Sequence, residues 1–133
     1  METQKFKGMN IALWIAQAIL AVIFLLAGYA KVTTSMDMLV EKMPWAGDFP
    51  TLARVVGVLE MIGSVGLLVP ALLRIPLVTA FAALGIFLIM ILAFLFHLTR
   101  GEFEVIPINL LFAAVSGFVA WGRFKKVPIT ARG

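Results

Sequence analysis

Lys31, Glu60, His97, Arg100 and Asn109 are the residues of this chain best placed to do chemistry. Glu60 stands inside an otherwise apolar run. A carboxylate there is expensive to bury, so it marks either a functional site or an internal pair that fixes helix packing, with Arg100, His97 or Lys31 as partner. His97 suits a proton relay, a ligand contact or a hydrogen bond at a helix interface. Arg100 and Lys31 close apolar runs, where long cationic side chains either snorkel to the membrane edge or bind an acidic group. The Asn109 amide suits a backbone carbonyl or a neighbouring helix. An acid–base reaction would fall to Glu60 with His97.

Other chemistries are excluded by what the chain lacks. It has no cysteine, which removes thiolate metal sites, iron–sulfur clusters and cysteine nucleophiles. One histidine excludes a multi-histidine metal centre, and bis-histidine haem ligation would need a second subunit. There is no glycine-rich nucleotide cradle, so neither a metal nor a nucleotide is expected. Ser64 and Thr99 have no positioned partner for nucleophilic catalysis.

The elements that must hold these residues follow from composition. Of 133 residues, 62% are hydrophobic and 14% charged. Soluble domains carry about 45–50% and roughly 25%. A core this small cannot hide such an excess, and the mean hydropathy is +1.07. The solvent for most of the chain is lipid. A crossing helix needs about 20 apolar residues, and four runs qualify, at 11–30, 55–73, 75–98 and 105–121. The expected fold is all-α, a single transmembrane domain over 1–133 forming an up-down-up-down four-helix bundle. Pro76 and Pro107 fall in first turns, where a missing N–H does little harm. Pro70 ends or kinks the second span. The first run exceeds the length of a signal-peptide core, so it reads as a retained span.

Four spans put both termini on one side. That side carries Lys5, Lys7, Arg74, Arg123, Lys125, Lys126 and Arg132, against Lys31, Lys42, Arg54 and Arg100 on the other. Seven basic residues against four predict cytoplasmic termini in a cell membrane. The net charge of +4 is explained by this bias rather than by nucleic acid. In the 31–54 loop, Ser35 is placed to cap a short interfacial helix carrying Met36, Leu39, Val40 and Met43. Pro44, Gly47 and Pro50 then break it, with Trp45 at headgroup level.

At 100° per residue each span presents one small or polar stripe. The stripes are Gln17, Ala21, Phe24, Gly28 and Lys31; Gly57, Glu60, Gly63 and Ser64; Thr79, Ala82, Ala83, Met90, Ala93, His97 and Arg100; and Asn109, Ala113, Ser116 and Ala120. Small residues let helices approach and polar ones meet across the interface, so the stripes should face inward. Lys31, Glu60, His97, Arg100 and Asn109 then share the outer half and are expected to form one polar site. Gln17 alone lies in the inner half.

The stretch from Arg54 to Pro70, with Pro44-Trp45 before it, resembles the second-helix signature of the DoxX-like membrane proteins. His97-Leu-Thr-Arg100-Gly-Glu102 followed by Asn109, the Gly28-x-x-Lys31 end of the first span and Gly122-Arg123 fit the same likeness. The resemblance implies a four-helix bundle. It also implies association with membrane oxidoreductase assemblies, because the family takes its name from a small subunit of a quinone-linked complex, and quinone is the one cofactor it brings into view. It implies no reaction. Two further readings stay open: a self-contained bundle that binds a small hydrophobic or amphipathic ligand, and a membrane enzyme. The apolar outer faces suit a homo-oligomer or a larger complex as well as lipid.

Overall fold

The computed structural model describes residues 2–131, with side chains from 6 onward. Lys5 and Arg132, two of the basic residues used to orient the chain, lie outside the described side chains. The order is α1 (Glu2–Thr33), α2 (Met36–Lys42), α3 (Trp45–Asp48), α4 (Pro50–Leu72) and α5 (Val78–Arg100). A 3₁₀ turn (Phe103–Val105), α6 (Ile106–Trp121) and a π-helical turn (Gly122–Lys126) complete it. Segments within α1, α4 and α5, together with the stretch from the 3₁₀ turn to the π turn, are long and apolar enough to cross a membrane.

Those four form an up-down-up-down bundle in which α1 packs on α4, α4 on α5, α5 on α6 and α6 on α1. Contacts fix each neighbour as antiparallel. Gly28 lies against Gly57 and Met61 between α1 and α4, and Gly63 and Gly66 lie against Ile86 and Ala82 between α4 and α5. Phe24 meets Phe112 edge-on between α1 and α6, and Phe81 meets Phe124 at the far end of α5. The end that carries α2, α3 and the α5–α6 connection is the distal end. The α4–α5 turn and the start of α1 lie at the proximal end.

The stripes read from the sequence are the buried faces. Gln17, Ala21, Phe24, Glu60, Ser64, Thr79, Ala83, Met90, His97, Asn109, Ala113, Ser116 and Ala120 are all buried. Val22, Leu26, Ile62, Leu88 and Leu110 are exposed, as lipid-facing residues should be. The core between them is built on Leu20, Phe24, Leu67, Ile86, Met90 and Val119. Arg100 departs from its stripe, because it ends α5 and turns outward.

Three boundaries differ from the sequence reading. Pro50 does not break a helix but opens α4 in its first turn, where its fixed φ fits and no N–H is missed. Pro76 does not lie in the first turn of α5. It sits in the preceding turn, where Arg74 and Leu77 adopt φ of 56° and 71°, and α5 starts at Val78. The interfacial helix forms as expected at Met36–Lys42, but the Ser35 hydroxyl makes no cap bond. A second one-turn helix, α3, follows directly after Pro44.

Candidate functional site

Glycine makes the first half of the site. A Cβ on Gly28 would stand 2.5 Å from the Gly57 carbonyl oxygen, and one on Gly57 would stand 2.7 Å from Lys31 Cβ. Only glycine permits so close an approach of α1 and α4. One turn beyond this contact, Lys31 Nζ donates to Glu60 Oε1 at 2.6 Å. The side chains are 12% and 3% exposed, so this is an internal ion pair. Arg54 holds the end of α1 in place. Its Nη1 donates to the carbonyls of Lys31, Val32 and Thr34 at 2.8, 3.1 and 2.7 Å, the groups that a helix C-terminus leaves without partners.

The second half comes from the end of α5. His97 Nδ1 lies 3.0 Å from Glu102 Oε1, and Arg100 Nε donates to the same oxygen at 3.0 Å. Arg100 Nη2 donates to Asp48 of α3 at 2.7 Å, and its guanidinium lies over the Phe49 and Phe96 rings. Partial burial pushes the Glu102 carboxyl up, but the bonds from His97 and Arg100 and the Arg100 charge outweigh it and hold it below the usual carboxylate range. A carboxylate can only accept, so Nδ1 of His97 carries the proton and Nε2 is left as the ring's other hydrogen-bonding nitrogen. Trp45 meets the His97 ring edge-on at 6.2 Å between centroids.

Between the two halves lies a cavity of about 650 Å³. Lys31, Glu60, His97, Glu102 and Asn109 stand in its wall among Val56, Leu59, Met90, Ala93 and Phe96, with Met43, Pro44 and Trp45 above. Asn109 Nδ2 is buried with no partner among the described residues.

The structure thus gathers four of the five expected residues around one space. Arg100 is the exception and is not the partner of Glu60. It lies beyond the cavity because Asp48, on a helix the sequence did not reveal, draws its guanidinium across the aromatic rings. Glu60 and His97 share the cavity but bond to Lys31 and Glu102 rather than to each other. Asn109 Nδ2 bonds no carbonyl among the described residues. Trp45 is not simply a headgroup residue, since it packs on Phe96 and His97.

Sequence reading also missed a polar cluster at the proximal end. Arg123, counted as a flanking charge, is 1% exposed. It donates to Gln17 Oε1 at 2.7 Å, to Asn10 Oδ1 at 2.8 Å and to the Val127 carbonyl at 2.9 Å. Its guanidinium lies over Trp14, and Gln17 in turn donates to the Leu67 carbonyl at 2.8 Å. The signal was present: the spacing of Asn109, Ala113, Ser116 and Ala120 continues to Arg123, past the end of the apolar run.

Four lipid-length helices around a distal cavity with polar groups in its wall define a small multi-pass membrane protein. The sequence profile of the DoxX-like family matches residues 15–119, and the chain belongs to that family. No match was found among curated proteins or among solved structures.

Proposed function

We propose that this DoxX-like protein binds a small amphipathic molecule in the distal cavity. The observation that carries the reading is the coincidence of space and chemistry. Small-molecule sites occupy about 300–1,000 Å³, with apolar walls and a few convergent polar groups, and the cavity of about 650 Å³ has this character. The Lys31–Glu60 pair and the Glu102-bound His97 are fixed before any ligand arrives, which limits the ordering cost of binding. Asn109 offers an amide whose donor is unsatisfied, and a buried donor without a partner is destabilising by about 1–3 kcal/mol until something bonds it.

A place beside a membrane oxidoreductase, with quinone as a ligand to test, is what the DoxX-like resemblance implies. The basic residues near the proximal end support a cell-membrane orientation with cytoplasmic termini and the cavity toward the outside. Apolar outer faces support assembly, with a second copy or with oxidoreductase subunits.

Purification in a mild detergent, followed by mass spectrometry of an organic extract and of copurifying proteins, tests these together. The expected result is a small molecule in stoichiometric amount that is absent from Ala93→Trp, a variant that fills the cavity. Wild-type protein without such a molecule, or a molecule retained equally by Ala93→Trp, contradicts the binding reading. Absence of oxidoreductase subunits contradicts the redox assembly alone.

A further inference from the structure

The two sides of the cavity differ. On the distal, water-facing side Met43, Pro44 and Trp45 form a partial roof, with the exposed Lys42 and Glu104 also in the lining. Met43 and Trp45 of that roof pack on the buried Leu39, Ala46 and Ala53, and Asp48 on the same segment is paired with Arg100. Toward the membrane the wall is different. Leu59 on α4, Leu92 on α5 and Ile108 on α6 line the cavity and are also 45%, 65% and 49% exposed. Residues that face both a cavity and the lipid mark its mouth. The packing of α4 explains where the mouth falls. Its glycines Gly63 and Gly66 seat Ile86 and Ala82 of α5 toward the proximal end, but at the distal end Gly57 turns to α1 instead. There α4 and α5 are left to face each other through Leu59 and Leu92 across the cavity.

Charge narrows the occupant. The lining contains two cations, Lys31 and Lys42, and three carboxylates, Glu60, Glu102 and Glu104. Lys31 is already paired, and Glu102 is held by Arg100. With those pairs made, Lys42 and Glu104 balance, so the lining has no net positive charge to draw an anionic head into a medium where unpaired charge is costly. The hydrogen-bonding groups left over among the described residues are the Asn109 amide and Nε2 of His97.

We infer that the occupant is a single-chain lipid with an uncharged, hydrogen-bonding head, and that it reaches the cavity sideways from the membrane between α4 and α5. This rests on the reading of the cavity as a binding site. The head lies against Asn109 and His97, and the chain leaves past Leu59 and Leu92 into the hydrocarbon.

The test uses the full chain in phosphatidylcholine nanodiscs, with radiolabelled monoolein as the probe. Monoolein should bind saturably, one per chain. Unlabelled monoolein should displace it, and a large excess of oleate or lysophosphatidylcholine should not. Asn109→Leu should weaken binding by about tenfold, the size of one lost hydrogen bond. Leu92→Trp, at the mouth, should slow association by roughly tenfold, while Asp48→Ala, which only frees the roof segment from Arg100, should leave the rate unchanged. Displacement by oleate or lysophosphatidylcholine as effective as that by monoolein overturns the neutral head. Faster association in Asp48→Ala, with no effect of Leu92→Trp, overturns the sideways route. If monoolein fails to bind saturably while another small molecule copurifies with the protein, the lipid class is wrong and the binding reading stands. If nothing binds and nothing copurifies, both fall.

Discussion

Lys31 and Glu60 depend on each other. Removing one partner of a buried pair leaves an uncompensated charge, which destabilises by about 3–5 kcal/mol. Lys31→Met should therefore unfold at lower denaturant than wild type, and adding Glu60→Leu should restore most of the loss. Unfolding in bicelles measures both, and a double variant no more stable than Lys31→Met contradicts the pairing. Glu102 gives a pH signature. Its carboxyl is lowered in the folded protein, so its contribution is present above the unfolded value of about 4.3 and is lost as pH falls through the folded value. Acid titration of stability should thus be flatter in Glu102→Gln than in wild type over that range, and identical curves would refute the bond network. The sequence made Glu60 conspicuous and put Lys31 among three candidate partners. Choosing between them needed the Gly28–Gly57 approach, which periodicity shows as a face but not as a distance. Arg100 pairs with Asp48 and Glu102 instead of Glu60, and Asp48 is hard to foresee as a partner because it sits on a one-turn helix behind a proline.

The glycine crossing of α1 and α4 sets the register of the whole distal half. Gly28→Val would press a side chain into the Gly57 carbonyl and Met61. Overpacking of this kind destabilises by about 1–3 kcal/mol, and here it should also part Lys31 from Glu60. Thermal unfolding should fall, whereas the same change at Gly85, where a Cβ would meet nothing within 4 Å, should be mild. Equal effects at the two positions would count against the crossing. The long helices were legible because twenty-residue apolar runs and inward stripes are strong, repeated signals. The ends were not. Pro50 and Pro76 obey the same rule in different ways: one opens a helix, and the other stands outside one because Arg74 and Leu77 turn the chain with positive φ. Arg123 escaped notice because a π turn carries it inward after the apolar run has ended.

At the scale of the molecule, the polar groups divide between the two ends of the bundle. Gln17 and Arg123 bind one end together, while the other end surrounds a space. The chain has no cysteine, so single cysteines report topology cleanly. An impermeant maleimide on intact cells should label Asp37→Cys and spare Lys125→Cys, and the reverse pattern would invert the orientation. The claim that the distal space is a ligand site, and not a gap in packing, is tested most directly at His97, the only histidine in the chain. Nitrogen-15 histidine labelling yields one imidazole, whose Nδ1 is occupied by Glu102 and whose Nε2 has no partner among the described residues. Spectra should be compared between protein purified with its native lipids, the same protein after exhaustive delipidation, and Ala93→Trp. The account predicts that the Nε2 signal shifts on delipidation while Nδ1 stays, and that Ala93→Trp shows no such change. An Nε2 signal that is the same before and after delipidation in wild type would contradict it.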